Sequence, residues 1–339
     1  MEDADMAALF ESYISQKPVV FQVETTNHCN MKCVMCPRTD KMTRKLGHMP
    51  MDLYKKVIEE IEPFSPIDRL KWQRFLNLDL FPSSILSGEE EDFFHYVVSA
   101  SALTLHGFGE PPMDLELIER IRLASEKNIP TYFSCNPMNM KDQFFQDVLD
   151  AGVSYVKYSF DGLDEDTLYK YRGRKMVVDE IYERFEKSIE AIERGGYETV
   201  LVLTMLEFGA NKEQQREFLE RWQSRNVYVY IKNSHHRWLY EEDDTPENTS
   251  THTHCFCEYP FNSTSLQYDG TVIPCPLDYD GVMRMGHVSE NSLEEIWHSD
   301  TYKNFRKMHA EGTLPKEHFC RSQCDMTILG DLMKKQKKA

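Results

Sequence analysis

The chain has 339 residues, with 39 Lys and Arg against 56 Asp and Glu, giving a net charge of −17. A field of that sign repels phosphate backbones and argues against a nucleic-acid partner. No run approaches a membrane span and the start, Met1-Glu-Asp-Ala-Asp5, is acidic, so the expectation is a cytoplasmic protein with no membrane partner.

In that compartment, nine cysteines point to metal or catalysis rather than disulfides. The length suggests one large domain and a smaller one. A short helical segment over residues 1–18 precedes the first β-type run, Val19–Thr25. Directly after that run come Cys29, Cys33 and Cys36, spaced by four and then three positions. A closed zinc site needs four ligands. Three local thiols instead suit a cubane iron–sulfur cluster with one iron left open. The alternative is half a zinc site, Cys33 and Cys36, plus a spare thiol.

Beyond this loop, Leu53, Val57, Ile58 and Ile61 share one helical face. Residues 63–101 break the rhythm. They include Trp72, Phe75, Phe81, Phe93 and Phe94, too apolar for a disordered linker. This inserted helical segment reads either as a substrate-shaping lid or as padding on the barrel. Five more strand-like runs follow, at Leu103–His106, Thr131–Ser134, Tyr155–Ser159, Val200–Leu206 and Val227–Ile231. Their content suits buried parallel strands.

Amphipathic stretches lie between them. Leu115, Ile118 and Ile121 form one face. Val178, Ile181, Phe185, Ile189 and Ile192 form another, stopped at Gly195-Gly196. Asn211 and Gln214 read as a capping box for the helix carrying Phe218, Leu219 and Trp222. Repeated β–α units imply right-handed parallel crossovers. The fold expected for residues 19–238 is therefore an α/β partial (β/α)6 TIM-like barrel, with its chemistry at the C-terminal strand ends.

Those ends carry candidate ligand-binding residues. The second strand runs into His106-Gly107-Phe108-Gly109-Glu110-Pro111, the third into Ser134-Cys135-Asn136, and the fourth into Ser159-Phe160-Asp161. After the sixth strand, His235 and His236 sit at the expected mouth. Their ordinary pKa suits acid–base work near neutrality.

Residues 239–339 are not barrel-like. Asp269-Gly270 between apolar alternations signals a hairpin. It would bring Cys257 and Cys275 together at its base, with Cys255 nearby and Cys320 and Cys324 further on. Four thiols bind zinc or an iron–sulfur cluster equally well.

The Cys29-Cys33-Cys36 loop resembles that of the radical S-adenosylmethionine (SAM) superfamily. The resemblance implies a partial barrel and a 4Fe–4S cluster on these three thiols. Its open iron would chelate the amino and carboxylate groups of SAM, and one electron would release a 5′-deoxyadenosyl radical. Met35 stands where members usually carry an aromatic residue, and a thioether packs well over a ring such as adenine. By resemblance, Gly107, Gly109 and Glu110 meet the methionine amino group. Ser134, Asn136, Ser159 and Asp161 meet ribose and carboxylate, and Arg172 pairs with the carboxylate.

The segments Asp269–Cys275, Gly286-His-Val288 and Ser292–Trp297 resemble the auxiliary-cluster extension of SPASM and twitch members. That implies an auxiliary 4Fe–4S cluster on Cys257, Cys275, Cys320 and Cys324, with Cys255 a substitute ligand or spare. Cys255 or Cys135 is also a candidate hydrogen-returning thiol, as in radical epimerases.

The expected activity is oxidation or epimerisation of a small polar substrate, such as an amino-cyclitol, sugar or nucleoside-like molecule. A donor such as flavodoxin or ferredoxin would supply the electron. The competing readings are ribosomal-peptide maturation by the same superfamily and a zinc-stabilised binding protein.

Overall fold

In the computed structural model, residues 14, 16–62, 102–232 and 259–322 are described. The inserted segment 63–101, His235, His236, Cys255, Cys257 and Cys324 lie outside them.

Six parallel strands form the frame: β1 (Val19–Val23), β2 (Leu103–Thr104), β3 (Thr131–Cys135), β4 (Tyr155–Ser159), β5 (Val200–Leu206) and β6 (Tyr228–Lys232). They lie side by side in chain order, and the sheet does not close on itself. This is the partial barrel that the β–α alternation implies.

Between the strands run α1 (Met51–Glu60), α2 (Leu117–Glu126), α3 (Asp142–Asp150), α4 (Glu165–Arg172), α5 (Val178–Gly195) and α6 (Lys212–Trp222). Helix α5 buries the apolar stripe Ile181, Phe185, Ile189 and Ile192 and ends at Gly196, whose φ of +66° suits a residue without Cβ. Tyr158 of β4 reaches into this layer, its hydroxyl 2.9 Å from Ser188 Oγ on α5.

Strand alternation divides the core in two. One set of strand side chains packs against the helices. The other forms a separate floor of Ala102, Tyr132, Val202 and Tyr230, with Tyr155 and Tyr228 beside it. That floor lies towards the N-terminal ends of the strands, away from the C-terminal ends that carry the candidate residues.

Two local expectations give way. Leu115 is 95% exposed and precedes α2, so it is no part of that helix's buried face. Asn211 makes no side-chain cap bond to α6. Its Oδ1 accepts from the Phe208 N–H at 2.8 Å, and its Nδ2 donates to the carbonyls of Asp161 and Leu206. Gln214 reaches back to Leu163 N and Asp164. The pair ties the ends of β4 and β5 together instead of capping a helix.

The C-terminal hairpin forms as Asp269-Gly270 implies, with β7 (Ser263–Leu266), β8 (Thr271–Ile273) and β9 (Gly286–His287). Gly270 takes a φ of +93° in the turn. The hairpin continues the barrel sheet: β7 pairs parallel with β1, and β8 and β9 follow antiparallel. Helices α7 (Leu293–Trp297) and α8 (Asp300–Ala310) complete this part. The first carries a full capping box between Ser292 and Glu295.

Candidate active site

The loop after β1 is held by its own buried polar residues. Asn27 is fully buried; its Nδ2 donates to Lys45 O at 2.8 Å and its Oδ1 accepts from Gly47 N at 2.8 Å. Arg38 Nε donates to Asn27 O at 2.8 Å, and Thr39 Oγ1 to Cys33 O at 2.7 Å. The far side is pinned to the end of α4, by Lys32 N to Arg172 O and Val34 N to Tyr171 O.

Gly173 closes that contact. It has a φ of +64°, and a Cβ there would meet Lys32 O at 2.2 Å. Gly173→Ala is therefore expected to cost more than about 1 kcal/mol of stability and to lower iron loading, because Lys32 lies within the cysteine loop. Iron quantitation and urea unfolding check this.

The loop sets Cys29, Cys33 and Cys36 along one wall of a cavity of about 290 Å³. Burial pushes the thiols of Cys29 and Cys36 up to about 11 and about 12, and also raises Cys33. Without metal all three are protonated at neutral pH. Among the described residues no three Cys, His, Asp or Glu converge on a single-ion point. Three separate thiols from one loop suit a cubane, in which each thiolate takes its own iron.

The loop Gly107–Glu110 lines the same cavity and is tied to the cysteine loop by Glu110 N donating to His28 O at 2.7 Å. Its glycines answer to packing: a Cβ on Gly107 would meet the Glu24 side chain at 2.7 Å, and one on Gly109 would meet Thr26 O at 2.0 Å. Glu24, at the end of β1, is the hub. Its carboxylate takes a bidentate bond from Arg44, at 2.7 and 3.0 Å, and accepts the Phe108 N–H at 3.0 Å. Arg44 Nε also donates to Tyr279 O in the C-terminal part.

Glu110 is buried, its Oε1 accepting from Asn136 N and Asn139 Nδ2, both at 2.8 Å. Burial outweighs these donors and pushes the carboxyl up to about 7. A folded pKa above the ordinary 4.5 means that ionisation of Glu110 destabilises the fold. The penalty grows between pH 4.5 and about 7 and is constant above. Glu110→Gln is therefore expected to stabilise the metal-free protein at pH 8 by at most about 3 kcal/mol. The gain should vanish towards pH 4.5. Urea midpoints across that range check it.

The remaining sequence candidates fall unevenly. Met35, Ser134, Ser159, Asp161 and Arg172 line the cavity. Ser134 and Ser159 hydroxyls lie 3.0 Å apart. Arg172 pairs with Asp161 at 2.6 Å and lies 3.8 Å from Cys33 Sγ. Asn136 is committed to structure: Oδ1 caps Met138 N, and Nδ2 faces the sulfurs of Met31 and Met176. Cys135 touches the cavity, yet it shares the strand face of Phe133 and packs in the helix-side core. Burial holds its thiol protonated.

Cys275 follows β8, and two residues later Leu277 lines the same cavity. Tyr279 then stands edge-on to Phe108 and Phe319, at 6.1 and 6.0 Å between ring centroids. Cys320 is buried against Met283, with sulfurs 3.4 Å apart. Cys275 and Cys320 thus adjoin the barrel mouth.

Two polar cavity residues were missed in the sequence: Lys157 and Thr204. A signal existed. Lys157 sits two positions before Ser159 inside a buried strand, and so shares its face.

The radical SAM superfamily profile matches residues 90–221, and the SPASM profile, an iron–sulfur cluster-binding domain, matches residues 255–325. The cysteine loop precedes the first match, and the fold brings it to the same cavity. Residues 90–221 thus match a radical SAM domain and residues 255–325 a SPASM domain, and the cofactors these domains indicate are SAM, a SAM-binding 4Fe–4S cluster and auxiliary iron–sulfur.

One relative is the S-adenosyl-L-methionine-dependent 2-deoxy-scyllo-inosamine dehydrogenase of Niallia circulans, 32% identical over 86 residues. That match spans 25% of this chain and 34% of the dehydrogenase, about a third of its length. The crystal structure of BtrN with AdoMet and 2-DOIA superposes with a TM-score of 0.52 at 19% identity, covering 91% of this chain and 93% of that one. Streptococcus suis SuiB bound to S-adenosylmethionine gives 0.54 at 13% identity, covering 96% and 75%. Both structures are likenesses of fold. No helix among the described residues is long and apolar enough to cross a membrane.

Proposed function

We propose that this chain is a radical SAM oxidoreductase that abstracts hydrogen from a small polar substrate, an amino-cyclitol, sugar or nucleoside-like molecule. One observation carries the reading. Three cysteines, the Gly107–Glu110 loop and the polar ends of β3 and β4 line a single cavity above an aromatic floor. When bound, cluster and SAM supply a one-electron cleavage that yields methionine and a 5′-deoxyadenosyl radical.

The residues have separable tasks. Cys29, Cys33 and Cys36 hold three irons. Glu110 accepts the amino group of SAM, and Met35 packs against adenine. Ser134 and Ser159 bind ribose. Arg172, held by Asp161, offers its remaining N–H to a carboxylate; its Nε is buried without a partner. The aromatic floor excludes water from the radical. Cys275 and Cys320, with Cys257 and Cys324, ligate an auxiliary cluster that takes the second electron of the substrate. The first leaves with the abstracted hydrogen atom, and a flavodoxin- or ferredoxin-like donor supplies the electron for SAM cleavage.

Anaerobic incubation with deuterated candidate metabolites tests this, with label expected in 5′-deoxyadenosine. About eight irons per chain, with matching sulfide, are expected for two four-iron clusters. Zinc without labile sulfide would sink the reading. A peptide arm belongs in the panel because SuiB holds the same fold; label from peptide alone would replace the small-molecule reading. Cys275→Ala is expected to retain part of the SAM cleavage but lose net substrate oxidation. Full turnover by that variant would remove the auxiliary cluster as electron acceptor.

A further inference from the structure

The cysteine loop has an outer face as well as the one that lines the cavity. Along residues 31–35 burial alternates: Met31, Cys33 and Met35 are buried, whereas Lys32 is exposed and Val34 is 52% exposed. Cys33 is thus one residue's thickness from solvent. The face continues across the contact with α4. Val34 N donates to Tyr171 O at 3.0 Å, and a Cβ on Gly173 would lie 2.8 Å from Lys32 Cβ. Lys170, Arg174 and Lys175, next to that contact in the chain, are exposed.

The charge here opposes that of the protein. Residues 28–48 hold five Lys and Arg against one acid, Asp40, and residues 169–176 hold four against none, in a chain of net charge −17. Some of these cations turn inward, Arg44 to Glu24 and Arg172 to Asp161. Lys32, Lys170, Arg174 and Lys175 do not, and among the described residues none of the four forms an ion pair. The acids of α4, Glu165 and Asp166, lie in its first turn, at the other end of an eight-residue helix about 12 Å long. Arg174 stands near enough to the cavity for its charge to favour the ionised form of Glu110.

Exposed cations around an exposed aliphatic side chain give the apolar centre and polar rim of a protein-binding surface. An acidic protein is repelled by most of this chain. A patch of opposite sign decides where it lands. That patch is the back of the cysteine loop, where a docked protein reaches the cluster without entering the substrate cavity.

We propose that the outer face of the cysteine loop docks an acidic one-electron carrier protein, with Val34 at the centre of the contact and Lys32, Lys170, Arg174 and Lys175 around it. This rests on the reading that Cys29, Cys33 and Cys36 hold a reducible cluster. The reduced carrier loses one electron and the cluster gains it; no bond forms or breaks at this face.

Anaerobic SAM cleavage by the holoenzyme tests the proposal with two electron sources. One is reduced flavodoxin, an acidic carrier; the other is photoreduced deazariboflavin, an uncharged small reductant that needs no docking. The double variant Lys170→Glu, Lys175→Glu should raise the half-saturating flavodoxin concentration at least about ten-fold and leave deazariboflavin-driven cleavage unchanged. Lys170→Arg with Lys175→Arg should behave as wild type. Flavodoxin-driven cleavage by the wild type, at sub-saturating carrier, should slow between about 0.05 and about 0.3 M salt as screening grows.

An unchanged flavodoxin requirement in the charge-reversal variant would overturn the proposal. So would a wild-type rate that holds or rises with salt, as net repulsion would give. Tighter calorimetric binding of a single-stranded oligonucleotide than of flavodoxin would reassign the face and overturn it too. If the double variant fails to fold, the wild-type salt series decides. Calorimetry with oxidised flavodoxin separates the two ideas. A chain that cleaves SAM with deazariboflavin but ignores the charge reversal sinks only this proposal. One that binds flavodoxin through Lys170 and Lys175, yet cleaves no SAM with either source, sinks only the radical reading.

Discussion

Cys29→Ala is expected to remove about four irons per chain and abolish SAM cleavage. The loop offers three thiols on one wall of the cavity and no fourth. The other cysteine touching that cavity, Cys135, packs on the helix side of β3 and is no substitute. Loss of one thiolate leaves two, too few to hold a cubane against release. Because burial keeps the thiols of Cys29 and Cys36 at about 11 and about 12, loading must expel protons, and reconstitution is expected to slow as pH falls. Iron quantitation and the electron paramagnetic resonance signal of the reduced protein read the first effect; reconstitution rates at pH 7 and pH 9 read the second. Retention of full iron and cleavage by Cys29→Ala would remove these cysteines from the centre of the mechanism.

The second large effect concerns stability. Arg44→Met leaves the Glu24 carboxylate, 2% exposed, without its bidentate partner. An uncompensated buried charge costs about 3–5 kcal/mol. The damage spreads, because Glu24 also holds Phe108 N in the glycine-rich loop, and Arg44 also holds Tyr279 O. The double variant Glu24→Gln, Arg44→Met is expected to recover much of the loss. Urea unfolding of the wild type, both single variants and the double variant gives the coupling directly. A single Arg44→Met variant as stable as wild type would show that the pair carries little energy.

The frame of the molecule was legible because its signals are local. β-branched runs alternate with helical stripes, and Gly196, Gly270 and Ser292 sit where termination, turn and cap chemistry need them. The cysteine loop was legible for the same reason, since its spacing lies within one loop. What escaped was set by register between strands distant in sequence. Lys157 and Thr204 come to one cavity only through pairing of β4 with β5. The glycines of the Gly107–Glu110 loop do line the cavity, but that their missing Cβ atoms also make room for Glu24 and Thr26 was not legible in the sequence. Asn211 looked like a cap because a local pattern cannot show a competing bond to Asp161 O, fifty positions away.

The parallel pairing of β7 with β1 bears on how the protein can be dissected. The strand that launches the cysteine loop has neighbours on both sides, so the amino-terminal portion is not a self-sufficient module. Cutting before Tyr259 would uncover a row of backbone donors and acceptors along Val19–Val23, the kind of open flank that invites intermolecular sticking. The two iron-binding halves are thus parts of one folding unit, and neither was built to be expressed alone.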